Sequence, residues 1–66
     1  MFKDRDVVHY LAENGKVYEA HVISPERNNR LSILVGTREL HDVSAFKVFR
    51  TNAAAQSAAR NFARGA

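Results

Sequence analysis

Residues 7–23, VVHYLAENGKVYEAHVI, constrain the fold more than any other stretch, because two runs rich in Val, Tyr and Ile flank Asn14-Gly15. Asn and Gly both tolerate positive φ, which a two-residue primed turn demands at its central positions, so the stretch predicts a β-hairpin. With Asn14 and Gly15 as the turn, Glu13 faces Lys16, and one face pairs Leu11 with Tyr18, His9 with Ala20 and Val7 with Val22. The other face pairs Tyr10 with Glu19 and Val8 with His21, flanked by Val17 and Ile23. Both faces are partly apolar. A lone hairpin is marginal in water, so the rest of the chain is expected to cover this one on both sides.

The means of covering it are limited. Sixty-six residues make one domain near the lower end of what folds without staples, and the absence of Cys excludes a disulfide or a thiolate zinc site. No apolar run approaches the roughly 18 residues of a membrane span. The opening MFKDRDVV is charged where a signal peptide needs its apolar stretch, so a cytoplasmic setting is expected. Ten Lys and Arg against seven Asp and Glu give a net charge of +3, with a pI near 9.8. That balance suits a polyanionic partner, and it also serves plain solubility.

The predicted elements follow in order. Residues 1–6 form a lead-in whose Phe2 is placed to plug one end of a small core. Strands are expected over about 6–11 and 16–24, and residues 25–29 form a polar loop, since Pro25 cannot donate to a ladder and Asn28-Asn29 accept left-handed conformations. Leu31 to Val35 is a short, largely buried strand, and Gly36-Thr37 turns the chain into Arg38 to Asp42, an edge strand whose charges discourage unwanted pairing. Val43 to Ala45 makes a tight turn before a fifth strand, Phe46 to Arg50. Five short strands with sequential contacts point to a mainly β fold over residues 1–51, a five-stranded SH3/Sm-like small barrel, because closure removes edges that so short a chain cannot otherwise protect.

From Ala53 the composition changes to AAAQSAARNFARGA, a helical sequence that Thr51 or Asn52 can cap and Gly65 can end. At about 100° per residue, Ala54, Ala55, Ala58, Ala59 and Phe62 gather on one side, with Arg60 and Arg64 among the polar residues on the other. So short a helix needs a partner surface. The C-terminal segment 52–66 is therefore an amphipathic helix that either packs on the barrel, over Val8, Tyr10, Val17 and Ile23, or self-associates into a homodimer.

DVVHYLAENGKVYEAHVI resembles the opening hairpin of Tudor domains, with Tyr18, Ala20 and Val22 holding a Tyr-x-Ala-x-Val pattern. The likeness implies an SH3-like barrel. It does not extend to the aromatic cage of methyl-reading Tudor domains, because Leu11 faces Tyr18 and LSILVGTREL carries no aromatic residue. The second half looks like the Sm/SH3-like barrels of bacterial WYL domains and of small Sm-like antagonists of Rho. The residues concerned are Tyr10 and Gly15, then Val22 to Pro25, then Gly36 to Asp42. That resemblance implies regulation through nucleic acid, a small ligand or a transcription factor.

Residue chemistry excludes more than it selects. His9 and His21 fall on opposite faces of the expected hairpin, His41 with Asp42 reads as an exposed strand end, and no zinc-binding spacing occurs, so no metal or other cofactor is expected. Ser24, Ser32, Ser44 and Ser57 have no neighbouring base in sequence, the acids are scattered singly, and no Gly-rich phosphate loop is present, so the chain is expected not to be an enzyme. What remains is basic and aromatic. Arg27, Arg30, Arg38, Lys47 and Arg50 are candidates for binding phosphates, with Tyr10 or Tyr18 stacking on bases, as in a nucleic-acid-associated regulator. The alternative is a protein-interaction module, of phage or mobile-element origin, that docks its apolar hairpin face, or its helix through Phe62, Arg60 and Arg64, on a host or viral protein partner.

Overall fold

The computed structural model describes residues 2–65, with side chains for residues 2–61. Five antiparallel strands form one open sheet, followed by a C-terminal helix: β1 (Val7–Leu11), β2 (Val17–Arg27), β3 (Arg30–Val35), β4 (Arg38–Ser44), β5 (Val48–Phe49) and α1 (Asn52–Gly65). The strand order is β4-β3-β2-β1-β5, so β4 and β5 lie at the two edges. A single 3-10 turn, Ala45–Lys47, leads from β4 to β5, with the Ser44 hydroxyl accepting from the Phe46 amide at 3.3 Å.

The first hairpin exists, but its register differs from the expected one by a single residue. Val8 pairs with Ala20, Tyr10 with Tyr18 and Leu11 with Val17. The connection is a three-residue loop, Glu13-Asn14-Gly15, closed by the Ala12 amide on the Lys16 carbonyl at 2.9 Å and the Gly15 amide on the Ala12 carbonyl at 3.0 Å. Only Gly15 takes positive φ, at 83°, and Asn14 instead accepts the Lys16 amide at 2.9 Å through its side chain. This is a type I turn followed by a left-handed Gly, the usual three-residue hairpin. Because side chains alternate across a strand, the one-residue shift exchanges the faces: Val8 and Tyr10 point to the core, and His9 does not.

The true two-residue turn is the next one. Asn28 and Asn29 adopt φ of 52° and 63° between the paired Arg27 and Arg30, as a type I′ turn requires. Residues 25–27, expected in a loop, belong to β2. Register shifts between Val22 and Ser24 and between Ser24 and Arg27 make bulges along this strand, and Pro25 falls in the second, where no ladder donor is needed. Beside the bent half runs the N-terminal segment. The Arg5 amide donates to the Val22 carbonyl, the Val22 amide to the Asp6 carbonyl and the Glu26 amide to the Phe2 carbonyl, at 2.8, 2.9 and 3.1 Å. Phe2 thereby packs half-buried against the core. In β4 another bulge sets His41 and Asp42 opposite Ser32, with Asp42 at φ 58°.

The core comprises Val8, Ala20, Val22, Leu31, Ile33, Val43 and Val48, of which Val8 and Ile33 have no exposed surface. Leu11 and Ala55 are buried as well, outside that cluster. α1 lies across β1, β2 and β5. Its cap is Thr51, whose hydroxyl accepts the Ala54 amide at 3.1 Å. Of the expected apolar stripe, Ala55 is buried, Ala58 and Ala59 are half-buried and Ala54 is exposed, while the Phe62 side chain lies outside the described ones. Val8 and Tyr10, expected beneath the helix, are on the core side instead. No helix among the described residues is long and apolar enough to cross a membrane.

Candidate nucleic-acid interface

Antiparallel order brings the β1–β2 and β3–β4 turns to the same end of the sheet, and there the surface is concave. One groove, of about 510 Å³, is lined by Tyr10, Ala12, Glu13, Asn14, Tyr18, Val35, Arg38 and Leu40. A second, of about 560 Å³, shares Tyr10, Glu13, Arg38 and Leu40 and continues past His41, Asp42, Ser44 and Arg30 to Lys47. The two make one trough, with Tyr10 and Arg38 at the join. Tyr10 and Tyr18 are direct cross-strand partners, so their rings leave the same face of the sheet side by side. The Tyr18 hydroxyl accepts from the Asn14 amide group at 3.1 Å, which holds that ring at the trough's end.

Of the seven candidate nucleic-acid residues, Tyr10, Arg30, Arg38 and Lys47 line the larger groove, and Tyr18 joins Tyr10 and Arg38 in the smaller. Arg27 faces a separate depression with Arg30, Ser24, Pro25, Ser32 and Asp42. Arg50 lies elsewhere, 3.7 Å from the Asp6 carboxylate and stacked over the Phe2 ring at 4.8 Å from its centroid. Arg60 is exposed on α1, and the side chains of Phe62 and Arg64 lie outside the described ones. Arg30 donates to the Asp42 carbonyl at 3.2 Å and sits 3.9 Å from its carboxylate, so its charge is partly balanced by β4 itself. Arg38 enters no ion pair among the described residues.

Three features escape a reading of the sequence. Ser32 does have a base beside it: His41 Nδ1 is 3.1 Å from the Ser32 hydroxyl, and His41 Nε2 is 3.3 Å from Glu39. The His41 and Glu39 side chains are 66% and 62% exposed, so water competes for both contacts. We read this arrangement as one that pins the β4 bulge. Phe46, expected to open a strand, stands on the 3-10 turn and is 74% exposed. Glu13 lines both grooves, and no sequence pattern distinguishes it from the other single acids.

No three His, Cys, Asp or Glu residues are grouped to hold a metal ion among the described residues. In comparisons with known proteins, no family model matches the chain, and neither a curated protein nor a solved structure matches it significantly.

Proposed function

We propose that this chain is a small, non-enzymatic binding module that engages nucleic acid along the trough, with Tyr10 and Tyr18 meeting bases and Arg38, Arg30 and Lys47 meeting phosphates. One observation carries the reading: two tyrosines paired across β1 and β2 share a groove with Arg38. Aromatic faces accept any base, and guanidinium and ammonium groups supply the electrostatic term that dominates affinity. Within this reading the module is a nucleic-acid-associated regulator. We further propose that the sheet curls into an SH3/Sm-like small barrel. The order β4-β3-β2-β1-β5, a strongly bulged β2 and a 3-10 turn leading into β5 favour that form.

Binding to a labelled oligonucleotide across a salt series tests the function. Wild-type affinity should fall steeply with salt. Arg38→Glu with Lys47→Glu should weaken binding and flatten the slope of log K against log salt by about one for each phosphate that is no longer neutralised. Binding that ignores both salt and the double substitution would overturn the proposal. The exposed Phe46 ring favours a second reading, a protein-interaction module in which this aromatic anchors a partner. Partner capture that survives nuclease treatment and disappears with Phe46→Ala would establish it.

A further inference from the structure

A carboxylate is the odd member of a groove that holds a polyanion. The larger groove is lined by three acids, three Arg or Lys residues and His41, and two of the acids have a partner nearby: Glu39 has His41 and Asp42 has Arg30. Glu13 makes no hydrogen bond or ion pair among the described residues, and it stands where the two grooves meet. A phosphate brought there is repelled. A base edge carrying an exocyclic amino group is not, because an ionised carboxylate only accepts and the amino group donates.

We propose that Glu13 reads the edge of an unpaired base, so that the trough selects single strands and prefers cytosine to thymine or uracil. The inference rests on the nucleic-acid reading above and names its ligand more narrowly. Cytosine presents an N4 amino donor where thymine presents the O4 acceptor, so Glu13 placed at that exocyclic position gains a charge-assisted hydrogen bond with the first and meets a lone pair with the second, whose own donor, N3–H, lies further round the ring. The base must be unpaired because a duplex hides the ring faces that Tyr10 and Tyr18 would cover; stacking, not the amino group, sets this requirement, since a paired cytosine still shows one N4 hydrogen in the major groove. Arg38 lines both grooves beside Glu13, which allows the backbone of the same nucleotide to be held while its base is read. That the acids equal the Arg and Lys residues in number, which argues against binding by phosphates alone, is thereby explained.

The test compares oligo(dC), oligo(dT) and a hairpin duplex by fluorescence anisotropy at low salt and mildly alkaline pH, where a carboxylate is ionised and cytosine neutral. The expected order is oligo(dC), then oligo(dT), then duplex, with about fivefold or more between the first two. Glu13→Gln should bring the oligo(dC) to oligo(dT) ratio close to one while tightening oligo(dT), because the amide supplies a donor and removes a negative charge. Glu13 is exposed in a turn, so this substitution leaves the fold intact, which a thermal melt verifies. Equal affinity for oligo(dC) and oligo(dT), with salt-sensitive binding retained, overturns the role of Glu13 and leaves the nucleic-acid reading standing. An unchanged ratio in Glu13→Gln does the same. Failure to bind any oligonucleotide removes the nucleic-acid reading, and this inference with it.

Discussion

On the core face of the sheet, Val8, Val22 and Ile33 are almost wholly buried, whereas where α1 packs on β1, β2 and β5 the fully buried helix residue among the described side chains is an alanine, Ala55. The first face is closed by residues distant in sequence, such as Val22 with Ile33 and Leu31 with Val43, which meet only when the sheet forms. The second is covered by a locally folded helix whose buried and half-buried side chains, among those described, are Ala55, Ala58 and Ala59 and present methyl groups. Burial scales with apolar area, so branched side chains on one face outweigh alanines on the other, and the two coverings should contribute unequally to stability.

Truncation on the core face should have the largest effect. Ile33→Ala removes most of a fully buried side chain at the centre of the cluster and should cost about 3 to 4 kcal/mol, a large share of a small domain's stability. Chemical denaturation measures it, and a loss under 1 kcal/mol would mean that the faces are not so unequal. On the helix face the informative change is in the other direction. Ala55→Leu overfills a site with no exposed surface and should cost about 1 to 3 kcal/mol. An unaltered melting temperature would show that α1 rests loosely on the sheet.

The smallest effect belongs to the turn that decides which face is which. Deleting Glu13 leaves Asn14-Gly15 as a two-residue loop between Ala12 and Lys16 and keeps Val8 opposite Ala20, so stability should change by only about 0.5 kcal/mol, a turn replacement away from the core. Cross-strand nuclear Overhauser effects between residues 8 and 20 verify the register. If Glu13 were instead paired with Lys16, the deletion would turn every β1 side chain to the wrong face and unfold the protein.

That turn also shows how far the sequence could be read. Alternating Val, Tyr and Ile announced both strands, and Gly15 announced the bend, but Asn-Gly suits a two-residue loop and the end of a three-residue loop alike. The choice between them is made by core packing, which only the assembled sheet provides. Pro25 misled for a related reason: it ends a regular ladder but is accommodated in a bulge, and bulges leave no mark in composition. The Thr51 cap and the helix start were local and legible.

The candidate site divides in the same way. Tyr10, Tyr18 and Arg38 stand out by residue type, but their sharing a groove depends on two hairpins ending at one end of the sheet. Arg50 was drawn aside by Asp6 and Phe2, partners more than forty residues away that no spacing rule connects to it. Glu13 had no signature at all, since a lone acid in a turn acquires meaning only from what surrounds it.

The left-handed Asp42 bears on how this protein behaves in crowded solution. β4 is a seven-residue edge, and a straight edge of that length is a template on which further strands can stack. With His41 and Asp42 crowded opposite Ser32, the edge is divided into Arg38-Glu39-Leu40 and Val43-Ser44, each shorter than the roughly six residues that seed cross-β assembly. An edge broken in this way offers a neighbouring strand less to pair with, and under the function proposed above the same kink keeps the trough beside it clear for the ligand.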